Sequence, residues 1–149
     1  MNDVAAQLVM GWDGQLASTA ALRFAVGLAR HLDAHVHVVH IADANDLPID
    51  PDAWDWEEQF HQTVEAHASG ARAILEELGS GWTYHALHGR PSDVLADLAE
   101  QVGALMIVVG APRGGMHSFI DTFAGQSVSH QLTRKHGRPV LLVPEPPAR

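Results

Sequence analysis

Short apolar runs and longer segments with helical periodicity alternate along this chain. The strand candidates occupy residues 6–12, 34–41, 82–88, 105–109 and 139–143, and the run over 105–109 is continuously apolar, with two valines and an isoleucine. Continuous apolar runs of this kind indicate strands that are buried on both faces of a sheet. We therefore predict five strands, and the fourth leads directly into a glycine-rich loop that begins at Gly110.

Four helices are predicted between these strands. Ser18 is a candidate N-terminal cap for the first helix. The second helix is long, and its inward face includes His67 among apolar positions. Pro91 lies in the first turn of the third, where its missing N–H and fixed φ suit a helix start. The fourth begins at about Thr122 or Ser127 and stops at Gly137.

The alternation of strands and helices predicts a single α/β domain. Right-handed crossovers place the helices on both faces of a parallel sheet. The 149 residues fit one domain that covers 1–149, because a chain of this length can bury a full core. The proline-rich tail 144–149 is expected to be frayed, since proline cannot continue a sheet.

Composition and charge exclude several functions. The chain has no cysteine, which excludes disulfides, thiolate metal sites and cysteine nucleophiles. Its net charge of −9 and single lysine oppose binding to nucleic acid, which depends on clustered lysine and arginine. Neither a leader peptide nor a membrane-spanning run is recognisable, so a cytoplasmic protein without a membrane partner is expected.

The glycine-rich loop is the main candidate for ligand chemistry. Gly110 and Gly115 have the spacing that opens a phosphate-binding P-loop, but Met116 and His117 replace the lysine and the hydroxyl residue that such a loop requires. The first strand-to-helix turn lacks the glycine spacing of a dinucleotide site. Ligands of open parallel sheets bind beyond the carboxyl ends of the strands, so the residues at those ends are the candidates.

Several of these segments together resemble the universal stress protein family. The similar segments are Trp12 to Gln15 after the first strand, Gly89 to Pro91 before the third helix, Ala104 to Gly110 in the fourth strand, and Ser127 to Ser129 followed by residues 139–143. The resemblance covers nearly the whole chain and is weakest over residues 43–81. It implies a Rossmann-like, adenine nucleotide alpha hydrolase-like sheet with the strand order 3-2-1-4-5.

The resemblance also implies a site for an adenine nucleotide, ATP or AMP, with or without Mg²⁺. Asp13 corresponds to a residue that contacts the nucleoside, and the backbone of Ile41 to one that meets adenine. The phosphates correspond to the glycines and polar residues of the later loop, which here are Gly110, Gly114, Gly115, Gly125, Gln126 and Ser127. The positive end of the helix near Ser127 and the guanidinium of Arg113 would attract a phosphate.

The same residues also permit an interpretation without a ligand. The family has an adjacent Gly-Ser/Thr pair in this loop, and Gln126 interrupts that pair here. If the interruption abolishes nucleotide binding, the protein has no cofactor. In that case the glycines only turn the chain, Ser127 caps its helix, and Asp13 forms a turn beside Gly14. Three hypotheses therefore remain: a nucleotide-binding regulator of the stress response, a dimeric stress adaptor that binds no nucleotide, and a weak hydrolase, for which no catalytic residue is assigned.

Two further features concern partners and metals. The last strand, residues 139–143, is short and apolar, and the resemblance implies a homodimer through it. Trp54 lies in an acidic segment over residues 43–58 and is a candidate contact for an unknown protein partner.

His35 and His37 share a strand face, but no metal ligand is assigned, and sensitivity to pH near 6.5 is the expected property of the histidines.

Overall fold

The computed structural model describes residues 5–41, 56–111 and 128–147. Within these residues five strands alternate with four helices, in the order that the sequence analysis predicts. The strands are β1 (Ala6–Trp12), β2 (Ala34–Ile41), β3 (Trp82–Leu87), β4 (Met106–Ala111) and β5 (Val140–Pro144). The helices are α1 (Leu16–Leu32), α2 (Trp56–Leu75), which continues into a 3₁₀ turn over Glu76–Leu78, α3 (Pro91–Val102) and α4 (Val128–Arg134).

All five strands are parallel and follow the order β3-β2-β1-β4-β5, so the predicted fold class and strand order are confirmed. One core cluster lies between the sheet and helices α1 and α2, and it includes Leu8, Leu22 and Leu75. A second cluster on the opposite face packs against α3 and α4 and includes Leu95 and Leu132. Both faces of the sheet are therefore covered by helices, because successive β1 residues point alternately into the two clusters.

Three local predictions were wrong. Ser18 does not cap α1 from outside, because the helix starts at Leu16 and Ser18 lies within its first turn. Leu105 precedes β4 and is half exposed, so the buried part of that strand begins later. Pro144 belongs to β5 and pairs with Ala111. The tail therefore begins one residue later than expected, and the Glu145 N–H donates to the Ala111 carbonyl at 3.0 Å.

Within the part of the chain that the structure describes, no helix combines the length and the hydropathy that crossing a membrane requires.

Candidate functional site

The connections of the sheet reverse direction at the carboxyl ends of β1 and β4. After β1 the chain crosses to β2 on one side, and after β4 it crosses to β5 on the other. Pairing between β1 and β4 ends at Met10 and Val108, although β1 continues to Trp12 and β4 to Ala111. The two central strands are thus no longer paired with each other at the edge where ligands of open α/β sheets bind, although each is still paired with its outer neighbour.

Asp13 and Gly14 form the turn that follows β1. The Oδ1 atom of Asp13 accepts hydrogen bonds from the N–H of Gln15 at 2.8 Å and from the hydroxyl of Ser18 at 2.6 Å, while the Asp13 N–H donates to Ser18 Oγ at 3.3 Å. Gly14 has a φ of +77°, which favours glycine. The turn-forming role of Asp13 is therefore present in the structure, and its contact with a ligand stays a prediction.

Gly110 lies in β4 beneath the first turn of α1. A Cβ placed on Gly110 would be 2.5 Å from both the carbonyl carbon and the carbonyl oxygen of Ala17. Real Cβ atoms do not approach backbone so closely, so the packing of α1 on β4 requires glycine here. The structural reason for Gly110 is helix packing, and its part in holding a phosphate remains a prediction.

Ile41 is the last residue of β2 and pairs with Leu87 of β3. Because Trp12 pairs with His40 on the neighbouring strand, the chain reaches Asp13 and Ile41 at adjacent positions of the same sheet edge. Asp13, Ile41 and Gly110 are thus brought to the carboxyl ends of three neighbouring strands, β1, β2 and β4. The other predicted site residues lie outside the described residues: Arg113, Gly114, Gly115, Gly125, Gln126 and Ser127. Trp54 lies outside them as well.

A pair of histidines that the sequence did not connect lies at the same edge. The Nδ1 atom of His67 on α2 is 3.1 Å from Nε2 of His40, and the two rings meet edge to face. His40 is buried, and burial lowers its pKa; the neighbouring His67 lowers it further, whereas the charge of Asp13 raises it. The position of His67 on the inward face of the second helix was the only signal of this pairing.

The backbone of α2 is attached to the end of β1. The indole N–H of Trp12, which is buried, donates to the carbonyl oxygen of His67 at 3.0 Å. A Cβ on Gly70 would be only 3.6 Å from the Trp12 ring, so α2 passes close to this tryptophan. These contacts hold α2 beside the Asp13 turn.

A separate histidine network lies on the sheet face that α3 and α4 cover. The rings of His35 and His37 are 4.8 Å apart, so the prediction that they share a face is confirmed. His37 Nδ1 is 3.0 Å from Nε2 of His85, and His37 Nε2 is 2.7 Å from the side-chain oxygen of Gln7. Burial is the main cause that lowers the pKa of His37 to about 4, with smaller contributions from His35 and His85.

This network is a set of hydrogen bonds between strands. Among residues 5–41, 56–111 and 128–147, no group of three or more histidine or carboxylate side chains is arranged to hold a metal ion. Nε2 of His37 donates to the Gln7 side-chain oxygen, so in the neutral ring Nδ1 is left to accept from Nε2 of His85, and burial favours this neutral form.

Comparison with known proteins identifies the family. The sequence profile of the Universal stress protein family matches residues 6–144. Universal stress protein MJ0531 from Methanocaldococcus jannaschii is 25% identical over 143 residues, which cover 94% of this chain and 82% of that protein.

Solved structures of similar fold carry nucleotides. The universal stress protein from Archaeoglobus fulgidus in complex with dAMP is 25% identical, with a TM-score of 0.63 over 93% of this chain and 97% of that one. A universal stress protein family protein from Arabidopsis thaliana with AMP bound is 14% identical, with a TM-score of 0.65 over 95% and 92% of the two chains. Since the family profile spans nearly all of the described fold, the chain belongs to the Universal stress protein family.

Proposed function

We propose that this protein is a regulatory module of the stress response that binds an adenine nucleotide, ATP or AMP, at the carboxyl ends of β1 and β4. The observation that carries the proposal is the end of β1–β4 pairing at Met10 and Val108, beyond which the two strands are no longer paired with each other beside the Asp13 turn. The dAMP bound to the Archaeoglobus fulgidus protein, which has the same fold, supports an adenine nucleotide as the ligand.

In this proposal Asp13 receives the ribose. Its Oδ1 atom is held by Gln15 and Ser18, which fixes the carboxylate and orients the second oxygen, Oδ2, as an acceptor for a hydroxyl group. The backbone of Ile41 meets the base. We assign the phosphates, and any Mg²⁺ that accompanies them, to the segment between β4 and α4, with Arg113 and Ser127 as candidate contacts. This assignment stays a prediction from the sequence.

Titration of the purified protein with labelled ATP, AMP and cyclic AMP tests the proposal. Asp13→Asn keeps an oxygen for the turn but removes the carboxylate charge, and we expect it to weaken binding about tenfold or more, equivalent to roughly 1.4 kcal/mol. Asp33→Asn is the matched control, because Asp33 lies at the opposite end of α1 in a left-handed conformation that asparagine tolerates. No saturable binding by any of the three nucleotides at millimolar concentration would refute the proposal.

The second candidate function is a dimeric adaptor without nucleotide, and the edge position of β5 favours the dimer. Leu142 on this strand is 46% exposed, whereas its neighbours Leu141 and Val143 pack against the core. Leu142→Glu is therefore expected to produce a monomer in sedimentation without loss of the fold. Leu105→Glu is the control, because Leu105 is exposed to a similar extent but lies before β4. If both variants sediment as the unmodified protein does, a dimer through β5 is excluded.

A further inference from the structure

The two edges of the His67 ring face different parts of the site. Nδ1 contacts Nε2 of His40 at 3.1 Å. The opposite edge lies against Gly14, where a Cβ would be 3.1 Å from Cδ2 and 3.4 Å from Nε2 of His67. The ring therefore fills the space between the buried end of β2 and the turn that carries Asp13.

The hydrogen-bond pattern determines where the protons of this pair lie. Nδ1 of His40 is buried and has no hydrogen-bond partner among the described residues. A buried nitrogen without a proton is less costly than a buried N–H without an acceptor, so His40 carries its proton on Nε2 and donates it to Nδ1 of His67. Neutral His67 then carries its own proton on Nε2, at the edge that faces Gly14.

We propose that His67 is a positioning residue of the ligand site: held by His40, it supports the Asp13–Gly14 turn, and acidification disrupts this support and weakens ligand binding. The inference rests on the proposed function, because the turn matters for affinity only if Asp13 contacts the ligand. It also assigns a role to α2, which is fixed beside the turn through the bond between Trp12 and the His67 carbonyl.

The direction of the pH effect follows from the charged groups around His40. His67 faces it from α2, and Asp13 and His88 follow the ends of β1 and β3. Burial, then the charge of His67, lowers the pKa of His40, and His88 acts in the same direction, while Asp13 opposes them. When both rings are protonated, two N–H groups oppose each other, and the 3.1 Å contact is lost. Because the contact is lost only after His40 also takes up a proton, and its pKa is lowered, the support persists to a pH below the ordinary histidine value of about 6.5 and is lost on further acidification.

The first experiment needs no ligand. The amide resonance of Gly14 is followed by ¹H–¹⁵N NMR from about pH 8 to about pH 5. In the unmodified protein it is expected to move as acidification protonates His40 and disrupts its contact with His67, and His67→Phe is expected to abolish the movement. His31→Asn is the control, because His31 is exposed on α1 and, among the described residues, its ring bonds within that helix, to the Gly27 carbonyl at 2.8 Å. A Gly14 resonance that does not respond to pH, or responds equally in His67→Phe, would overturn the inference.

The second experiment measures affinity for cyclic AMP, whose phosphodiester charge does not change over this pH range. Binding to the unmodified protein is expected to weaken about tenfold between about pH 8 and about pH 5, which corresponds to one pK unit of coupling. His67→Asn offers an oxygen where Nδ1 lies and does not titrate. It should therefore keep the affinity found at high pH and lose the pH dependence, whereas His67→Phe should bind weakly throughout.

The outcomes separate the two proposals. If no nucleotide binds at any pH, the proposed function fails, and the role of His67 in binding fails with it. If nucleotide binds but the pH dependence is unchanged in His67→Asn, only the inference about His67 is refuted.

Discussion

Two glycines of this chain should respond in opposite directions to the same substitution by alanine. Gly110 in β4 lies beneath α1, where an added Cβ would be 2.5 Å from the backbone of Ala17 and 2.9 Å from its Cβ. Gly27 lies within α1, and an added Cβ would have no described atom within 4 Å apart from its chain neighbours and the nearby backbone of its own helix. The first change overpacks a buried contact, and the second removes the entropic cost of glycine in a helix.

The magnitudes follow from these distances. Ordinary contact between carbon atoms is about 3.5–4.0 Å, so Gly110→Ala must shift the backbone of α1 or β4 by about 1 Å. The nearest atoms belong to backbone rather than to a flexible side chain, so rotamer changes cannot relieve the clash. We expect a loss of about 2 kcal/mol or more in the free energy of unfolding and a fall in Tm of roughly 4–8 °C. Gly27→Ala should add about 0.5–1 kcal/mol.

Urea denaturation followed by circular dichroism measures both changes on one scale. The denaturant slope should stay the same in both variants, because the area exposed on unfolding is unchanged. Ala17→Gly in the Gly110→Ala background removes the contact with the Ala17 Cβ but not the contacts with its backbone, so it should recover little stability. A Gly110→Ala protein as stable as the unmodified chain would refute the packing explanation of this glycine.

Three further predictions concern polar contacts. Burial lowers the pKa of His37 to about 4, so below about pH 6.5 the unfolded chain binds a proton more readily than the folded one. Lowering the pH from about 7.5 to about 5 should therefore reduce the free energy of unfolding by roughly 2 kcal/mol through this group. Urea denaturation at both pH values should show a smaller reduction in His37→Asn than in the unmodified protein. Trp12→Phe removes the donor to the His67 carbonyl and should cost about 1–3 kcal/mol by the same assay. Asp93→Asn weakens the partly buried contact with His136 and should lower the free energy of unfolding by less than about 1 kcal/mol. A larger loss would show that this contact between α3 and the segment after α4 contributes more than a surface ion pair does.

The fold was predictable because strand segments alternate with segments of helical periodicity, and β4 begins as a continuous apolar run. Most residues of β1 and β2 are apolar, and both strands begin and end as predicted, although Gln7 and three histidines interrupt the pattern. The start of α1 was less predictable, because Asp13 and Ser18 both have side chains suited to a helix start. In the structure the two side chains bond to each other across the turn at Gly14, and this turn determines that Asp13 precedes the helix while Ser18 lies within its first turn.

The candidate site was predictable only where its residues follow a strand. Asp13 and Ile41 could be placed at the sheet edge from the strand pattern alone. The need for glycine at position 110 could not be predicted in this way, because it depends on the close approach of Ala17, which lies on a helix far away in the sequence. The same holds for His40 and His67, which meet only when α2 packs on the sheet. Contacts of this kind depend on tertiary packing, which periodicity does not specify.

The turn-forming and the ligand-binding interpretations of Asp13 are compatible. A carboxylate has two oxygens, and the bonds to Gln15 and Ser18 both use Oδ1. A side chain held in this way loses less conformational entropy when a ligand arrives, so its structural bonds prepare it for binding. Ser18 also connects the turn to α1, whose first turn rests on Gly110 of β4. The carboxylate of Asp13 is therefore fixed relative to both central strands, at the edge where their pairing has ended.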